Sequence, residues 1–464
     1  MLLNSFQFLL FFLVFFIFYS ILFNGRTKIQ NWLILLASYY FYGVVDWRMD
    51  ILLLGITFFF YSIGITIEKY HKKWVLTIAI LFAVGILFYF KYLTFFISQI
   101  VKVTNTMNFH LDDITLKIIL PIGISFYLFK LMCYIIEVYR GNITACHDFV
   151  AFASYLAFFP TVMSGPIDRP NKFLPQFHQK RLFNAKNVVE GLCQIMWGLF
   201  LKMCVADRIN LYVNAVYGNL SNHNGTTVFI AILLYSIQIY ADFAGYSDMA
   251  IGVGRVMGFD VMKNFDHPYF ARNVSEFWRK WHISLTSWLT EYIYIPLGGN
   301  RKGKLRTILN TLVVFSLCGL WHGAGWNYIL WGAVNGMLFI PSLLSSKPKK
   351  YKGVPLTFDY ITIVKISVTF LVISLTWLIF HESSIENVFL IFQRLFSPWG
   401  MPYANSWHIF IVVLLVLFIH EVHHATGCFV ILEKIPIEIK TSLYVLLCLI
   451  FGVYNSNSFI YFQF

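Results

Sequence analysis

Charge is what this chain has least of. Only 12% of its 464 residues are Asp, Glu, Lys or Arg, about half the roughly 25% usual in a soluble globular chain. No polar stretch is long enough to build a soluble catalytic domain, so any chemistry must sit within a membrane or at its faces. The cysteines (Cys133, Cys146, Cys193, Cys204, Cys318, Cys428 and Cys448) make no CxxC pair and show no metal-ligand spacing. Most lie in apolar runs and read as small buried hydrophobes, so neither a disulfide framework nor a metal centre is expected. There is no G-x-S-x-G elbow, no H-E-x-x-H and no Walker loop. Gly252, Gly254 and Gly258 form GxGxxxG, which misses the dinucleotide fingerprint, and no strand precedes it. Small residues in that pattern suit close helix packing instead. Internal repeats and low-complexity tails are also lacking.

What is present is apolar: 58% hydrophobic and 19% aromatic residues. Runs long enough to cross a bilayer core fall at about 6–23, 29–45, 49–67, 74–97, 114–138, 187–205, 227–250, 306–320, 326–345, 361–380, 407–426 and 441–458. Bilayer-crossing segments of this kind are helices. The expectation is an all-α multi-pass membrane protein with about 11–12 transmembrane helices plus re-entrant and interfacial ones, forming a single domain over 1–464. The first run has no Lys or Arg before it and no A-x-A-like site after it, so it reads as a retained first helix with its N-terminus outside.

The net charge of +13 comes mostly from Lys and Arg in short loops, as positive-inside topology requires, not from a nucleic-acid surface. EKYHKK (68–73), the stretch 168–186, the region 255–306 and KPKKYK (347–352) are basic, while 98–113 and 209–225 carry little positive charge. These four basic stretches all fall on the cytoplasmic side if 149–166, broken by Pro160, Gly165 and Pro166, re-enters rather than crosses.

Two histidines each follow a tryptophan. His322, in LCGLWHGAGWN, stands between hydrophobic segments with Gly319, Gly323 and Gly325 around it and Trp321 before it. An ionisable group in such a setting is a functional hypothesis, and a near-neutral imidazole is a natural general base for a hydroxyl attacking an acyl group. The bland alternative is a histidine that hydrogen-bonds across helices. His282, in FWRKWHISLTSWLTEYIYIPLGG, belongs to an apolar stripe of Phe277, Trp281, Leu285, Trp288 and Leu289 with Arg279 and Lys280 between them. That pattern predicts a helix at the cytoplasmic interface, where His282 either orients a substrate or caps its helix.

Other polar stretches are less specific. Asp242 and Asp248 lie six positions apart on roughly opposite helical faces, which supports paired-carboxylate chemistry poorly. Asn264, Asp266, His267 and Arg272 form a polar turn that could face a cofactor head group. DRPNKFLPQFHQKR (168–181) could meet the diphosphate of a nucleotide-containing donor, or be ordinary loop charge.

The chain resembles the membrane-bound O-acyltransferases, and among them the bacterial alginate O-acetyltransferase-like branch. The resemblance rests on RNVSEFWRKWHISLTSWLTEYIYIPLGGNRKG, LWHGAGWNYILWGAVNG, QIYADFAGYSDMAIG, FFPTVMSGPIDRP, the N-terminal NSFQFLLFF and the closing FIYFQF. It implies a ring of helices around a thin centre with a central tunnel, a catalytic core over about 114–345, His322 as the catalytic residue and His282 as its second histidine. Trp281, Arg279, Lys280, Asn264, Trp321 and Asn335 are then expected around donor or substrate. It further implies no bound cofactor or metal, acetyl-CoA or another acyl thioester as cytoplasmic donor, and a location in the bacterial inner membrane. The acetyl group would pass to a periplasmic SGNH-type partner or to a polysaccharide hydroxyl of an alginate-like exopolysaccharide or peptidoglycan. Two other classes stay open from the residues alone: a transporter or flippase for a lipid-linked glycan, and a non-catalytic scaffold of a secretion complex.

Overall fold

The computed structural model describes residues 1–107, 118–344, 359–382, 384–403, 407–427, 434–454 and 459, and every regular element among them is a helix. KPKKYK (347–352), Cys428 and all of the closing FIYFQF except Phe459 lie outside the described residues. The chain divides into two compact units, Met1–Leu192 with Ala250–Met262, and Cys193–Met249 with Lys263–Phe464.

The first unit holds α1 (Phe6–Phe16), α2 (Thr27–Gly43), α3 (Trp47–Tyr70), α4 (Lys73–Leu87), α5 (Leu93–Thr106), α6 (Ile124–Tyr139), α7 (Phe149–Ala157) and α8 (Pro170–Phe173). Side-chain oxygens start several of them: Ser5 accepts from the Phe8 amide, Asp46 from Arg48 and Asp148 from Val150, each satisfying an orphan first-turn donor. α7 is only nine residues long and buried from Ala151 to Ala157. It is too short to cross a bilayer, as expected for the interrupted 149–166 stretch. The basic stretch that follows is mostly exposed, Lys172, Lys180 and Lys186 included, but Asp168 and Arg181 are buried. Asp168 accepts from the Met262 amide at 2.9 Å and faces Lys130 at 3.9 Å. Burial pushes its carboxyl up to about 6, against the pull of Lys130. Arg181 donates to Tyr19, to Asn31 and to the Gln176 carbonyl, and it is buried. Of the cations expected at a donor diphosphate, Arg181 is therefore taken up inside the protein.

The second unit contains the rest of a long rod that begins with α9 (Ala185–Leu199) and ends with α10 (Asp207–Tyr217), joined by a π turn at Phe200–Ala206. It also contains α11 (Gly225–Val256) up to Met249, then α12 (Val274–Lys280), α13 (Ile283–Leu289), α14 (Lys304–His322), α15 (Trp326–Leu344), α16 (Tyr360–His381), α17 (Ile385–Leu395), α18 (Trp407–Thr426) and α19 (Ile437–Phe451). The π turn aims Lys202 at two carboxylates, Asp207 at 2.8 Å and Asp242 at 2.7 Å. Asp248, by contrast, accepts from Gln194 at 3.1 Å. The two α11 carboxylates thus have separate partners and do not work as an acid/base pair. Charges this deep in an apolar bundle persist only when paired.

Among the described residues seven helices are long and apolar enough to cross a membrane: α3, the Lys73–Thr106 rod, the Ala185–Tyr217 rod, α11, α14, α15 and α16. Other runs expected to span give helices of 17 residues (α2), 16 (α6) and 15 (α19); 114–117 and 455–458 of the last two runs lie outside the described residues. The protein is a multi-pass membrane protein.

One expectation is overturned. Phe277 to Leu289 is not one interfacial helix. It breaks at His282 into α12 and α13, and Phe277, Trp281, Leu285, Trp288 and Leu289 are all buried. The apolar stripe is core packing, because aromatic rings from α11 and α16 cover it on the side expected to meet lipid headgroups.

α14 and α15 pack backbone on backbone. A Cβ on Gly319 would stand 2.0 Å from the Tyr328 carbonyl, and one on Gly332 would stand 2.1 Å from the Phe315 carbonyl. Of the GxGxxxG glycines, Gly252 offers its carbonyl 2.7 Å from where a Cβ on Gly191 would lie, Gly254 faces the Val261 side chain, and Gly258 takes a left-handed turn conformation (φ 82°). Gly332→Val should therefore lower the melting temperature of the detergent-purified protein, at a cost of about 1–3 kcal/mol or more. Gly85→Ala, whose added Cβ meets nothing within 4 Å, should leave melting unchanged.

Candidate active site

The two tryptophan-flanked histidines come together from opposite sides of a long insertion. α12 ends at Trp281, and His282 adopts a left-handed conformation (φ 43°, ψ 54°) before α13 begins. For a non-glycine residue this costs on the order of 1–3 kcal/mol and persists only where the surroundings enforce it. Here Asn264 enforces it. Its carbonyl accepts from the Ile283 amide at 2.8 Å, its Oδ1 meets His282 Nδ1 at 3.0 Å and accepts from Ser284 Oγ at 2.9 Å, and its Nδ2 donates to Ser247 Oγ at 3.2 Å. With Oδ1 as acceptor, Nδ1 of His282 carries the proton and Nε2 keeps the lone pair. Burial pushes the imidazole down to about 3, so the ring is neutral at physiological pH.

His322 is the last residue of α14 and is buried. Its ring is enclosed by Trp321 (4.9 Å between centroids), Trp331 of α15 (5.4 Å) and Phe380 of α16 (5.3 Å). The two imidazoles lie 6.4 Å apart, centroid to centroid, and Trp321 touches both. Phe243 of α11 closes His282 edge-on at 4.6 Å. The sequence pattern predicts His282 on a helix at the cytoplasmic interface; the structure sets it instead in a break between α12 and α13, beside His322. They share one buried level, because the break at His282 tucks that residue inward and the Gly319/Gly332 contact draws α15 against the end of α14.

The other expected residues divide. Trp281 is fully buried against Phe265 (5.1 Å), Phe277 (5.4 Å) and Trp377 (5.0 Å), as a wall behind His282. Asn335, also fully buried, donates to the Trp331 carbonyl one turn earlier, while its Oδ1 and the Trp331 indole N–H have no hydrogen-bond partner among the described residues. Arg279 is exposed, and Lys280 pairs with Glu276 at 3.4 Å, beside Arg272. Of the polar turn expected to face a cofactor, Asp266 pairs with Lys263 and His267 with Glu421, so only Asn264 reaches the pair.

Sequence reasoning missed Ser247, Trp331, Trp377 and Phe380. Trp377 and Phe380 lie beyond the 114–345 core and carry no local signal, since they join the site only through the packing of α16. Ser284 was visible in the WHIS motif but had no partner to suggest its role. Among the described residues no group of three or more His, Cys, Asp or Glu side chains is arranged to hold a metal ion.

The arrangement offers a neutral imidazole of fixed tautomer, a second imidazole close enough for one reacting group to meet both, and aromatic walls that exclude water. That set suits acyl transfer to a hydroxyl. Comparison with known proteins agrees. The profile of the membrane-bound O-acyltransferase family matches residues 139–384. The chain is 36% identical over 400 residues to the probable alginate O-acetylase of Pseudomonas aeruginosa, covering 84% of this chain and 74% of that one. It is 30% identical over 406 residues to the peptidoglycan O-acetyltransferase of Helicobacter pylori, covering 81% and 75%. It is 29% identical over 270 residues to the teichoic acid D-alanyltransferase of Bacillus subtilis, covering 54% and 65%. With both of the family-motif histidines brought together in its interior, this chain belongs to the membrane-bound O-acyltransferase family and is an acyltransferase.

Proposed function

We propose that this enzyme moves an acetyl group from a cytoplasmic thioester, acetyl-CoA, to a hydroxyl of a cell-surface polysaccharide or of a periplasmic SGNH-type partner that serves one. The polymer would be an alginate-like exopolysaccharide or peptidoglycan, and the membrane the bacterial inner membrane. The observation that carries the reading is the meeting of His282 and His322 at 6.4 Å in a buried aromatic enclosure. Acetyl rather than D-alanyl transfer is favoured because the relatives named for acetyl transfer match over 81–84% of the chain, against 54% for the D-alanyltransferase.

In this reading His322 is the general base. It takes the proton of the acceptor hydroxyl as the oxygen attacks the thioester carbonyl. The C–S bond breaks as the new C–O bond forms, and the thiolate leaves as the protonated thiol, its proton returned from His322. His282, held neutral by burial, cannot stabilise a thiolate by charge. Its role is positioning through Nε2, set by the Asn264 bond to Nδ1. General-base assistance of this kind is worth about 10²–10⁴ in rate.

His322→Ala should reach the membrane at normal levels and lose alkali-labile acetyl on cell-surface polysaccharide. Wild-type acetylation by that variant would sink the assignment. Asn264→Ala should slow transfer by about tenfold to a hundredfold, the cost of a misplaced reacting group. Asn264→Asp, which keeps an acceptor for Nδ1, should retain more activity than Asn264→Ala. CoA release from acetyl-CoA by membrane vesicles measures both, and equal rates for the two variants would contradict the positioning role.

A further inference from the structure

We propose that Glu421, on α18, is a positioning residue for the acyl-transfer centre, acting through the short segment that carries Asn264; this rests on the acyltransferase reading of the His282/His322 pair. Glu421 is buried, and both of its carboxylate oxygens are engaged. Oε2 lies 2.8 Å from His267 Nδ1, and Oε1 accepts from the Tyr240 hydroxyl at 3.0 Å. A carboxylate in an apolar helix is expensive unless paired, and one with two partners on two different elements ties those elements together.

Both tied elements lead to His282. His267 stands three positions after Asn264 and takes a left-handed conformation (φ 48°) that a non-glycine residue keeps only when held. Between them the Asp266 amide donates to the Lys280 carbonyl at 3.0 Å, so the segment is pinned to the end of α12, next to Trp281 and His282. Tyr240, the second partner, packs on Phe265 (5.6 Å) and Trp281 (6.2 Å). Phe265 packs in turn on Trp281 (5.1 Å) and on Phe243, the residue that closes His282. Releasing Glu421 would therefore loosen the Asn264 segment at its far end and the aromatic wall behind His282 at once. No atom of Glu421 needs to touch substrate.

Around the pair, His424 stacks parallel to the His267 ring at 5.8 Å, and His420 and His423 flank His424.

The test is CoA release from acetyl-CoA by inverted membrane vesicles, with transfer to polysaccharide followed in cells. Glu421→Ala should lower kcat about tenfold to a hundredfold while KM for acetyl-CoA stays within about twofold, the signature of misplaced reacting groups rather than lost binding. Glu421→Gln keeps partners for both Tyr240 and His267 and should stay within about threefold of wild type. The Glu421→Ala/Asn264→Ala double variant should be no slower than Asn264→Ala alone, because both act through one linkage. Multiplying losses in the double variant, a wild-type kcat for Glu421→Ala, or a loss confined to KM would each overturn the proposal. Should Glu421→Ala fail to reach the membrane, His267→Ala reports the same link, and a wild-type kcat there overturns it equally. A wild-type protein that releases no CoA and acetylates nothing would instead remove the acetyltransferase reading itself.

Discussion

The bond on which the rest of this structure depends is the one between Asn264 and His282. An imidazole buried among phenylalanine and tryptophan rings has no intrinsic reason to hold one tautomer or one direction. Asn264 supplies both by meeting Nδ1 at 3.0 Å, and it is itself fixed by Ser247, Ser284 and the Ile283 amide. The left-handed turn at His282, the break between α12 and α13, and the burial of the Trp281 side chain all follow from seating that amide inside the bundle. In a membrane interior such a polar network is stable only when its members satisfy one another, which is also what makes it rigid.

Around this bond the second unit is layered by kind of interaction. Glycine contacts let α14 and α15 close on each other and bring His322 to the end of α14 beside Trp331. Aromatic rings from α11, α15 and α16 fill the remaining space. Buried charged groups of this unit have partners: Lys202 meets Asp207 and Asp242, and Glu421 meets His267 and Tyr240. The result is an aromatic enclosure in which the His282 and His322 rings lie side by side.

Much of this was legible in the residues. The scarcity of charge, the apolar runs and the loop basicity led directly to a helical membrane protein, and both histidines stood out because each follows a tryptophan in an unusual setting. Of the GxGxxxG glycines read as packing residues, Gly252 lies against Gly191, while Gly258 serves a left-handed turn. What was not legible was long-range. The period of Phe277, Trp281, Leu285 and Trp288 fits an interfacial helix and a buried one equally well, since periodicity records that a face is apolar and not what covers it. The 6.4 Å meeting of His282 with His322 depends on how α12, α13 and α14 return on one another, and no local pattern encodes that. Asn264 was named only as part of a polar turn, since its contacts to Ser247 and His282 join positions 17 and 18 residues away. Arg279 and Lys280 misled because a basic pair beside a candidate histidine looks like a ligand clamp, whereas Lys280 serves the Glu276 ion pair.

The central claim is that His282 and His322, 40 positions apart in the chain, occupy one buried site. It is tested most directly by thiol cross-linking. In a cysteine-free background, His282→Cys and His322→Cys are combined and treated in membranes with dibromobimane, which fluoresces only when it bridges two nearby thiols. The account predicts fluorescence on the double variant and none on either single variant. A double variant whose two thiols both react with a monofunctional label but never bridge would contradict it.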